Sequence, residues 1–136
     1  MMKKILFYIF LLGVSTHSFS QENVKTIIGT WKAISIKENG VPVNLKDITK
    51  IKINSKKFFS WFSCNNTNRI TRNSIGGTYT YDGKNYVERI NYVGVNSTNM
   101  LHKVNKFNVI IKGDKLYLTG VTYTKMKLDE VWQRIE

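Results

Sequence analysis

Cysteine, proline and acidic residues are scarce in this chain of 136 residues, which has one cysteine, one proline and nine Asp or Glu. The single cysteine, Cys64, excludes an intrachain disulfide, so the fold must depend on packing and on backbone hydrogen bonds. Cys64 is also a poor candidate nucleophile, because His102 is the only histidine beyond the first 20 residues that could activate it. We interpret Cys64 as a small apolar filler or a partly exposed thiol.

Long apolar runs are missing as well. The longest, residues 5–14, is too short to cross a bilayer of ~30 Å as a helix. Two lysines precede it and small residues follow, which is typical of a signal peptide cleaved after Ser20. An uncleaved interfacial anchor is the alternative interpretation. We therefore expect a secreted or periplasmic protein in which residues 1–20 are a signal peptide. Removing 20 of the 136 residues leaves 116, and residues 21–136 are the size of one domain.

Basic residues outnumber acidic ones by 21 to 9, which gives a formal net charge of +12. A charge of that sign attracts polyanions such as acidic glycans or lipid headgroups. The lysines are scattered without a dense block, however, so general solubility is the simpler interpretation. No nucleic-acid partner is expected, because no motif of aromatic and basic residues occurs at a recognised spacing.

Helical periodicity is nearly absent, and alternation of polar and apolar residues dominates. Turn signals such as Asn-Gly and Asp-Gly separate the alternating segments. Because the links are short, parallel pairing through crossover helices is excluded and an antiparallel meander follows. Eight strands predict a closed up-and-down barrel, with a two-sheet sandwich as the alternative. The eight strand candidates are 29–37, a half-buried strand around Ile51 and Ile53, 57–63, 76–81, 85–92, 104–111, 115–121 and 128–135.

Three further segments carry local predictions. The polar stretches 65–74 and 95–102 are predicted to be loops. Residues 44–48 are predicted to form a single helical turn, with Asn44 as its N-cap.

Five short motifs occur in order along residues 29–134. They are Gly-Thr-Trp at 29–31, Phe-Ser-Trp at 59–61, Gly-Gly-Thr-Tyr at 76–79, Tyr-Val-Glu-Arg-Ile at 86–90 and Glu-Val-Trp-Gln-Arg at 130–134. In this order they resemble the small secreted lipocalin-like proteins of Bacteroidetes, within the calycin superfamily. One departure is Phe58, where that family often has a histidine. The resemblance implies an all-β fold, a single antiparallel up-and-down barrel, and little about activity.

The resemblance also implies a structural plug at one end of the barrel. Gly29 would let the backbone pass closely, and Trp31 would seal the base. Arg134, or with less support Arg89, would lie over the indole ring, where a cation is stabilised by ~0.5–2 kcal/mol. The alternative is that Trp31 contacts a ligand.

Three strands each place chemically useful side chains on one face, because residues two apart in a strand share a side. If these faces point inward, aromatic walls surround Glu88, Glu130 and Arg134, and those charges must pair or stay hydrated. Such an interior is typical of a ligand pocket, and equally of a satisfied polar core. The three faces are Phe59, Trp61 and Ser63; Tyr86, Glu88, Ile90 and Tyr92; and Leu128, Glu130, Trp132 and Arg134.

The favoured hypothesis is a non-enzymatic binding protein that takes up a small, partly hydrophobic molecule. The alternative is a surface-interaction protein with a filled barrel, whose basic exterior binds acidic glycans or lipid headgroups. An enzyme that uses Glu88 and Glu130 for acid–base chemistry is the weakest hypothesis. We expect a monomer without catalytic residues, metal, cofactor or transmembrane segment. The candidate ligand-binding residues are Trp61, Tyr79, Glu88, Tyr117, Trp132 and Arg134.

Overall fold

A computed structural model describes residues 26–136, and in it one antiparallel sheet closes on itself. The expected signal peptide, residues 1–20, lies outside the described residues. A short 3-10 helix, Val95–Met100, connects the sixth and seventh strands. The strands are β1 (Gly29–Glu38), β2 (Val41–Pro42), β3 (Ile48–Asn54), β4 (Phe58–Asn65), β5 (Thr71–Tyr81), β6 (Asn85–Val93), β7 (Val104–Lys112), β8 (Lys115–Val121) and β9 (Lys127–Arg134).

The eight longer strands of the described chain form the barrel. From β3 to β9 each strand pairs with the next in antiparallel fashion, and β1 pairs with both β3 and β9. The two-residue β2 pairs only with the end of β1, through Lys37 with Pro42 and Glu38 with Val41. The prediction of an all-β, closed up-and-down barrel is confirmed, and the sandwich alternative is wrong.

The pairing of β1 with β9 closes the barrel. Its register runs from Trp31 opposite Arg134 to Glu38 opposite Leu128, with an irregularity between Ala33 and Ser35. Because the first and last strands are paired, neither has a long unpaired edge that another chain could extend.

Tight turns hold the hairpins as their residue types predict. Asn39 and Gly40 connect β1 to β2 with φ values of 51° and 83°. Both values are left-handed, as a two-residue hairpin turn requires, and Asn-Gly is well suited to them. Gly113 has φ 59° in the turn between β7 and β8.

Four local predictions differ from the structure. The segment predicted to be a loop at 95–102 contains the 3-10 helix Val95–Met100. Residues 44–48 form no helical turn, because Asn44 Oδ1 accepts from the backbone N–H of Lys46 (3.0 Å) and closes a side-chain turn instead. The strand β5 begins at Thr71, so the loop predicted at 65–74 is shorter. Tyr92 points outward and is 59% exposed. The register of β5 and β6 shifts between Gly76 and Gly77, which takes Tyr92 off the face of Glu88.

One end of the barrel is closed by Trp31 and Arg134. The Arg134 guanidinium lies 4.0 Å from the centre of the Trp31 ring, and it donates to the carbonyls of Ile28 (2.6 Å) and Thr26 (2.7 Å). Trp31 Nε1 donates to the carbonyl of Ile27 (3.0 Å). Gly29 is needed beside them, because it has φ 145° and a Cβ there would overlap the guanidinium.

The described residues include no helix that is both long enough and apolar enough to cross a bilayer.

Substituting Arg134 tests the closure at this end. We expect Arg134→Met to lower the free energy of unfolding by about 2 kcal/mol, because two hydrogen bonds and a cation–ring contact are lost. Urea unfolding followed by circular dichroism measures this. The matched control is Arg89→Met, since Arg89 lies exposed on the outer face of β6. Equal stability losses in the two variants would contradict the role of Arg134.

Candidate functional site

Two lysines point into the barrel from β3. Lys52 is only 3% exposed, whereas Ile53, its neighbour on the opposite face, is 43% exposed. Lys50 lies on the same inward face and is partly buried. The strand is half-buried as the alternating sequence predicts, but Lys50 and Lys52 face the interior while Ile51 and Ile53 face outward.

Each inward lysine is paired with a buried glutamate from another strand. Lys50 Nζ lies 2.9 Å from Glu130 Oε1 of β9, and Lys52 Nζ lies 2.7 Å from Glu88 Oε1 of β6. Both distances are those of charge-assisted hydrogen bonds. Glu88 and Glu130 are 1% and 3% exposed. An isolated charge at such a position would cost several kcal/mol, so the pairing makes these buried groups tolerable.

Aromatic rings surround the two ammonium groups. The Lys50 ammonium lies 4.7 Å from the centre of the Trp61 ring, and the Lys52 ammonium lies 5.1 Å from that of Tyr86. Both also lie over Trp132, at 5.6 and 5.5 Å. Trp132 Nε1 donates to Glu130 Oε2 (3.0 Å), which fixes the carboxylate and the indole relative to each other.

The two ion pairs, Lys50–Glu130 and Lys52–Glu88, form a charged layer across the barrel. This layer affects the pKa values of Glu130 and Tyr86. Burial raises the pKa of Glu130, but the charges of Lys50 and Lys52 and the hydrogen bonds from Lys50 and Trp132 outweigh it and hold the pKa below its ordinary value. Burial first, and then the nearby Glu88 carboxylate, raise the pKa of Tyr86 well above its ordinary value. At neutral pH, Glu130 is therefore ionised and the Tyr86 hydroxyl keeps its proton.

A cavity of about 320 Å³ lies between this charged layer and the open end of the barrel. Its volume is at the lower end of the range for small-molecule sites, ~300–1,000 Å³. The charged pairs and two tryptophans line it on one side, and mostly apolar side chains line it towards the mouth. Besides the charged pairs and the two tryptophans, the lining consists of the apolar Ile36, Val43, Leu45, Ile48, Ile75, Met100, Phe107, Met126 and Leu128 and the polar Glu38, Ser63, Asn73, Asn105 and Thr122.

The structure brings three of the six candidate ligand-binding residues together. Trp61, Glu88 and Trp132 all line the cavity. The other three lie elsewhere. Arg134 lies over Trp31 at the closed end. Tyr79 packs against Tyr86, with 5.3 Å between ring centres, and its hydroxyl donates to the carbonyl of Ser55.

Tyr117 is the clearest correction, because it lies on the outer face of the barrel and is 36% exposed. Its neighbours on β8, Leu116 and Leu118, are each 1% exposed and point inward. Since side chains alternate along a strand, Tyr117 faces solvent and does not line the interior.

Lys50 and Lys52 line the cavity, and sequence reasoning missed both of them. The sequence did indicate that the interior needed positively charged side chains. Two glutamates were expected on inward faces, and each buried carboxylate requires a cation or strong donors. Arg134 alone was considered for that role. The strand β3, which pairs with the aromatic strand β4, carries both lysines on one face.

No group of three or more His, Cys, Asp or Glu side chains within residues 26–136 is placed to hold a metal ion.

Comparisons with known proteins add no family to this description. No protein-family model matches the chain, and no curated protein matches it significantly. The closed eight-stranded antiparallel barrel within residues 26–136 is consistent with a lipocalin-like or calycin fold.

The pH dependence of stability tests whether the Glu130 carboxylate is ionised in the folded protein. A group whose pKa is lowered by folding stabilises the protein above its unfolded pKa, here about 4.5, and that contribution is lost as the pH falls through the folded pKa. We expect Glu130→Gln to lower the free energy of unfolding by about 3 kcal/mol at pH 7, because Lys50 loses its partner. The difference from wild type should shrink as the pH falls below 4.5.

The measurement is urea unfolding at several pH values between 3 and 7. The control is Asp129→Asn, since Asp129 is exposed on the opposite face of the same strand. A difference between wild type and Glu130→Gln that does not change with pH would rule out the buried ion pair.

Proposed function

We propose that this protein is an exported, non-enzymatic, lipocalin-like binding protein that holds one small, partly hydrophobic molecule inside its barrel. The observation that carries the proposal is the cavity of about 320 Å³ with paired charges on one side and an apolar mouth. Sites for small molecules combine apolar walls with a few convergent polar groups in this way.

The apolar mouth supports the proposal. Val43, Leu45, Met100 and Leu128 all line the cavity and are only partly buried. Covering apolar surface stabilises a complex by roughly 25 cal/mol per Å² before the cost of association is subtracted. Two methionines at the mouth, Met100 and Met126, have flexible side chains that adapt to different apolar shapes.

The charged layer also supports a binding role. Replacing a buried ion pair with packed apolar residues is often neutral or stabilising, so such pairs are an inefficient way to hold a core together. The lower half of the barrel is already filled by apolar side chains, among them Trp31, Val109 and Leu116. This apolar packing therefore supplies stability. The ion pairs next to the cavity fit a role in recognition.

The alternative hypotheses fit the described interior less well. A surface-interaction protein was expected to have a filled barrel, whereas the cavity leaves room for a ligand. Acid–base catalysis at Glu88 and Glu130 is disfavoured because both carboxylates are engaged by lysines. The lowered pKa of Glu130 also makes its carboxylate a weak base.

Titration with unbranched primary alcohols tests the proposal with neutral probes. A cavity of 320 Å³ holds on the order of ten water-sized groups, so we expect affinity to rise up to about the length of 1-decanol and then to level off. Tryptophan fluorescence reports binding, because Trp61 and Trp132 line the cavity. No change in fluorescence with any alcohol would contradict the proposal.

A matched pair of variants locates the binding site. Ser63 lines the cavity and is 7% exposed, whereas Ser60 lies on the outer face of the same strand. We expect Ser63→Phe to fill the cavity and weaken 1-decanol binding at least tenfold, and Ser60→Phe to leave it unchanged. Equal binding by the two variants would place the probe outside the barrel.

A further inference from the structure

The lysines that are scattered along the sequence gather on one outer face of the barrel. Strands β7, β8, β9 and β1 pair side by side, and alternate side chains of each strand point outward. Six lysines lie on the outer face of these four strands, and we call this surface the basic face. They are Lys32 and Lys37 of β1, Lys106 and Lys112 of β7, Lys115 of β8 and Lys127 of β9.

The other half of the barrel has no lysine on its outer face. Among the outward side chains of β3, β4, β5 and β6, only Arg72 and Arg89 are charged. Lysines that served solubility alone would be expected on both halves, because solubility depends on the net charge and not on its position. The one-sided distribution therefore indicates a surface for an anionic partner.

Few carboxylates offset the charge of the basic face. Asp129 is the one acidic side chain that points outward from these four strands, and Asp114 lies in the turn between β7 and β8. Asp114 Oδ2 accepts a hydrogen bond from Gln133 Nε2. Six lysines minus these two aspartates leave a formal charge of +4 on the basic face. Within residues 26–136 both ion pairs of the structure lie inside the barrel, so neither engages a lysine of the basic face.

An apolar row crosses the basic face between the lysines. Ile110 of β7 lies opposite Tyr117 of β8, which lies opposite Val131 of β9. Ile34 continues the row at the irregularity of β1. Ile110 and Ile34 are 52% and 47% exposed. The lysines lie on both sides of this row, with Lys32, Lys112 and Lys115 towards the closed end and Lys37, Lys106 and Lys127 towards the mouth.

Lysines beside exposed aliphatic side chains suit the surface of an anionic bilayer. The ammonium groups pair with lipid phosphates, while the aliphatic side chains enter the boundary between head groups and acyl chains. Long lysine side chains can lie along apolar surface and still place their charge among the head groups. Tyr117 suits the same boundary, because its ring is apolar and its hydroxyl is polar.

A hydrated polyanion such as an acidic polysaccharide fits the basic face less well. It would pair with the lysines but would cover Ile34 and Ile110 with polar groups, which gives no favourable burial of apolar surface. The Lys112 ammonium lies 5.9 Å from the centre of the Tyr117 ring. One face of that ring is therefore covered by a cation and is not free to stack against a sugar.

We infer that the basic face docks this protein on the anionic phosphate surface of a lipid bilayer, with Ile34 and Ile110 at the boundary of the acyl chains. The barrel would lie on its side, with its mouth directed along the membrane and free of it. This inference goes beyond the proposed function and is independent of the cavity, because every residue that it uses lies on the outer face.

Vesicle binding by a triple variant tests the inference. The exported protein is titrated with vesicles of phosphatidylcholine alone, or of three parts phosphatidylcholine to one part phosphatidylglycerol, and binding is measured by co-sedimentation. We expect the wild type to bind only the anionic vesicles, and less tightly as salt is added. Each lysine near an anionic surface contributes about fivefold in affinity. Lys32→Gln, Lys112→Gln and Lys115→Gln together should therefore weaken binding at least tenfold.

The matched control removes the same charge elsewhere. It combines Lys46→Gln, Lys56→Gln and Lys57→Gln, three exposed lysines in the connections on either side of β3 and outside the basic face. We expect this variant to bind nearly as tightly as the wild type. Equal losses in the two triple variants would show that net charge alone drives binding and would overturn the inference.

A second pair of variants separates a bilayer from a hydrated polyanion. Ile34→Asn combined with Ile110→Asn should weaken vesicle binding at least fivefold and leave binding to heparin unchanged. The control is Ile53→Asn combined with Ile70→Asn, since these isoleucines are 43% and 62% exposed outside the basic face. It should bind vesicles as the wild type does. If the variant at Ile34 and Ile110 also binds vesicles as the wild type does, the assignment to a lipid surface is wrong.

Chemical labelling of the wild type decides the matter if a variant of the basic face no longer folds by circular dichroism. Lysine acetylation is compared with and without anionic vesicles and is measured by mass spectrometry. Bound vesicles must protect the six lysines of the basic face more than Lys46, Lys56 and Lys57, and equal protection would overturn the inference. A wild type that binds no anionic vesicle would also overturn it and would leave the proposed function standing, because the cavity is not involved.

Discussion

Two buried lysine–glutamate pairs impose the main constraint on this barrel. They connect β3 to β9 through Lys50 and Glu130, and β3 to β6 through Lys52 and Glu88. A slip of one residue in any of these strands would turn a charged side chain outward and leave its partner alone in the interior. Because an uncompensated buried charge is strongly destabilising, we infer that the pairs select one register among the alternatives open to the chain.

The pairs also divide the interior into two parts with different physical roles. Below them, Trp31, Tyr86, Val109 and other buried apolar side chains fill the closed end, where Arg134 lies over the Trp31 ring. Above them, the strands enclose a cavity of about 320 Å³ with a partly exposed apolar mouth. Packing at the closed end supplies stability, which leaves the open half available for a ligand without loss of the fold.

The architecture was predictable from the sequence because alternation and turn chemistry are local signals. Asn39-Gly40 and the alternating strands identify the meander, and a meander of eight strands closes into a barrel. The position of Tyr117 was also predictable, since Leu116 and Leu118 on either side of it are apolar. The outward orientation of the Tyr92 side chain was not predictable. It depends on a register shift between β5 and β6 that the sequence pattern does not indicate.

The inward lysines show the limit of reasoning from pattern alone. A strand in which isoleucines alternate with lysines is expected to bury Ile51 and Ile53, whereas β3 turns both of them outward. The orientation of β3 depends on its partners across the barrel. Glu88 lies 36 positions from Lys52 in the chain, and Glu130 lies 80 positions from Lys50. Nuclear magnetic resonance of the lysine side chains tests this orientation most directly. We expect two ammonium groups with slow proton exchange and with Overhauser contacts to the Trp132 indole, and fast exchange at every lysine ammonium would contradict it.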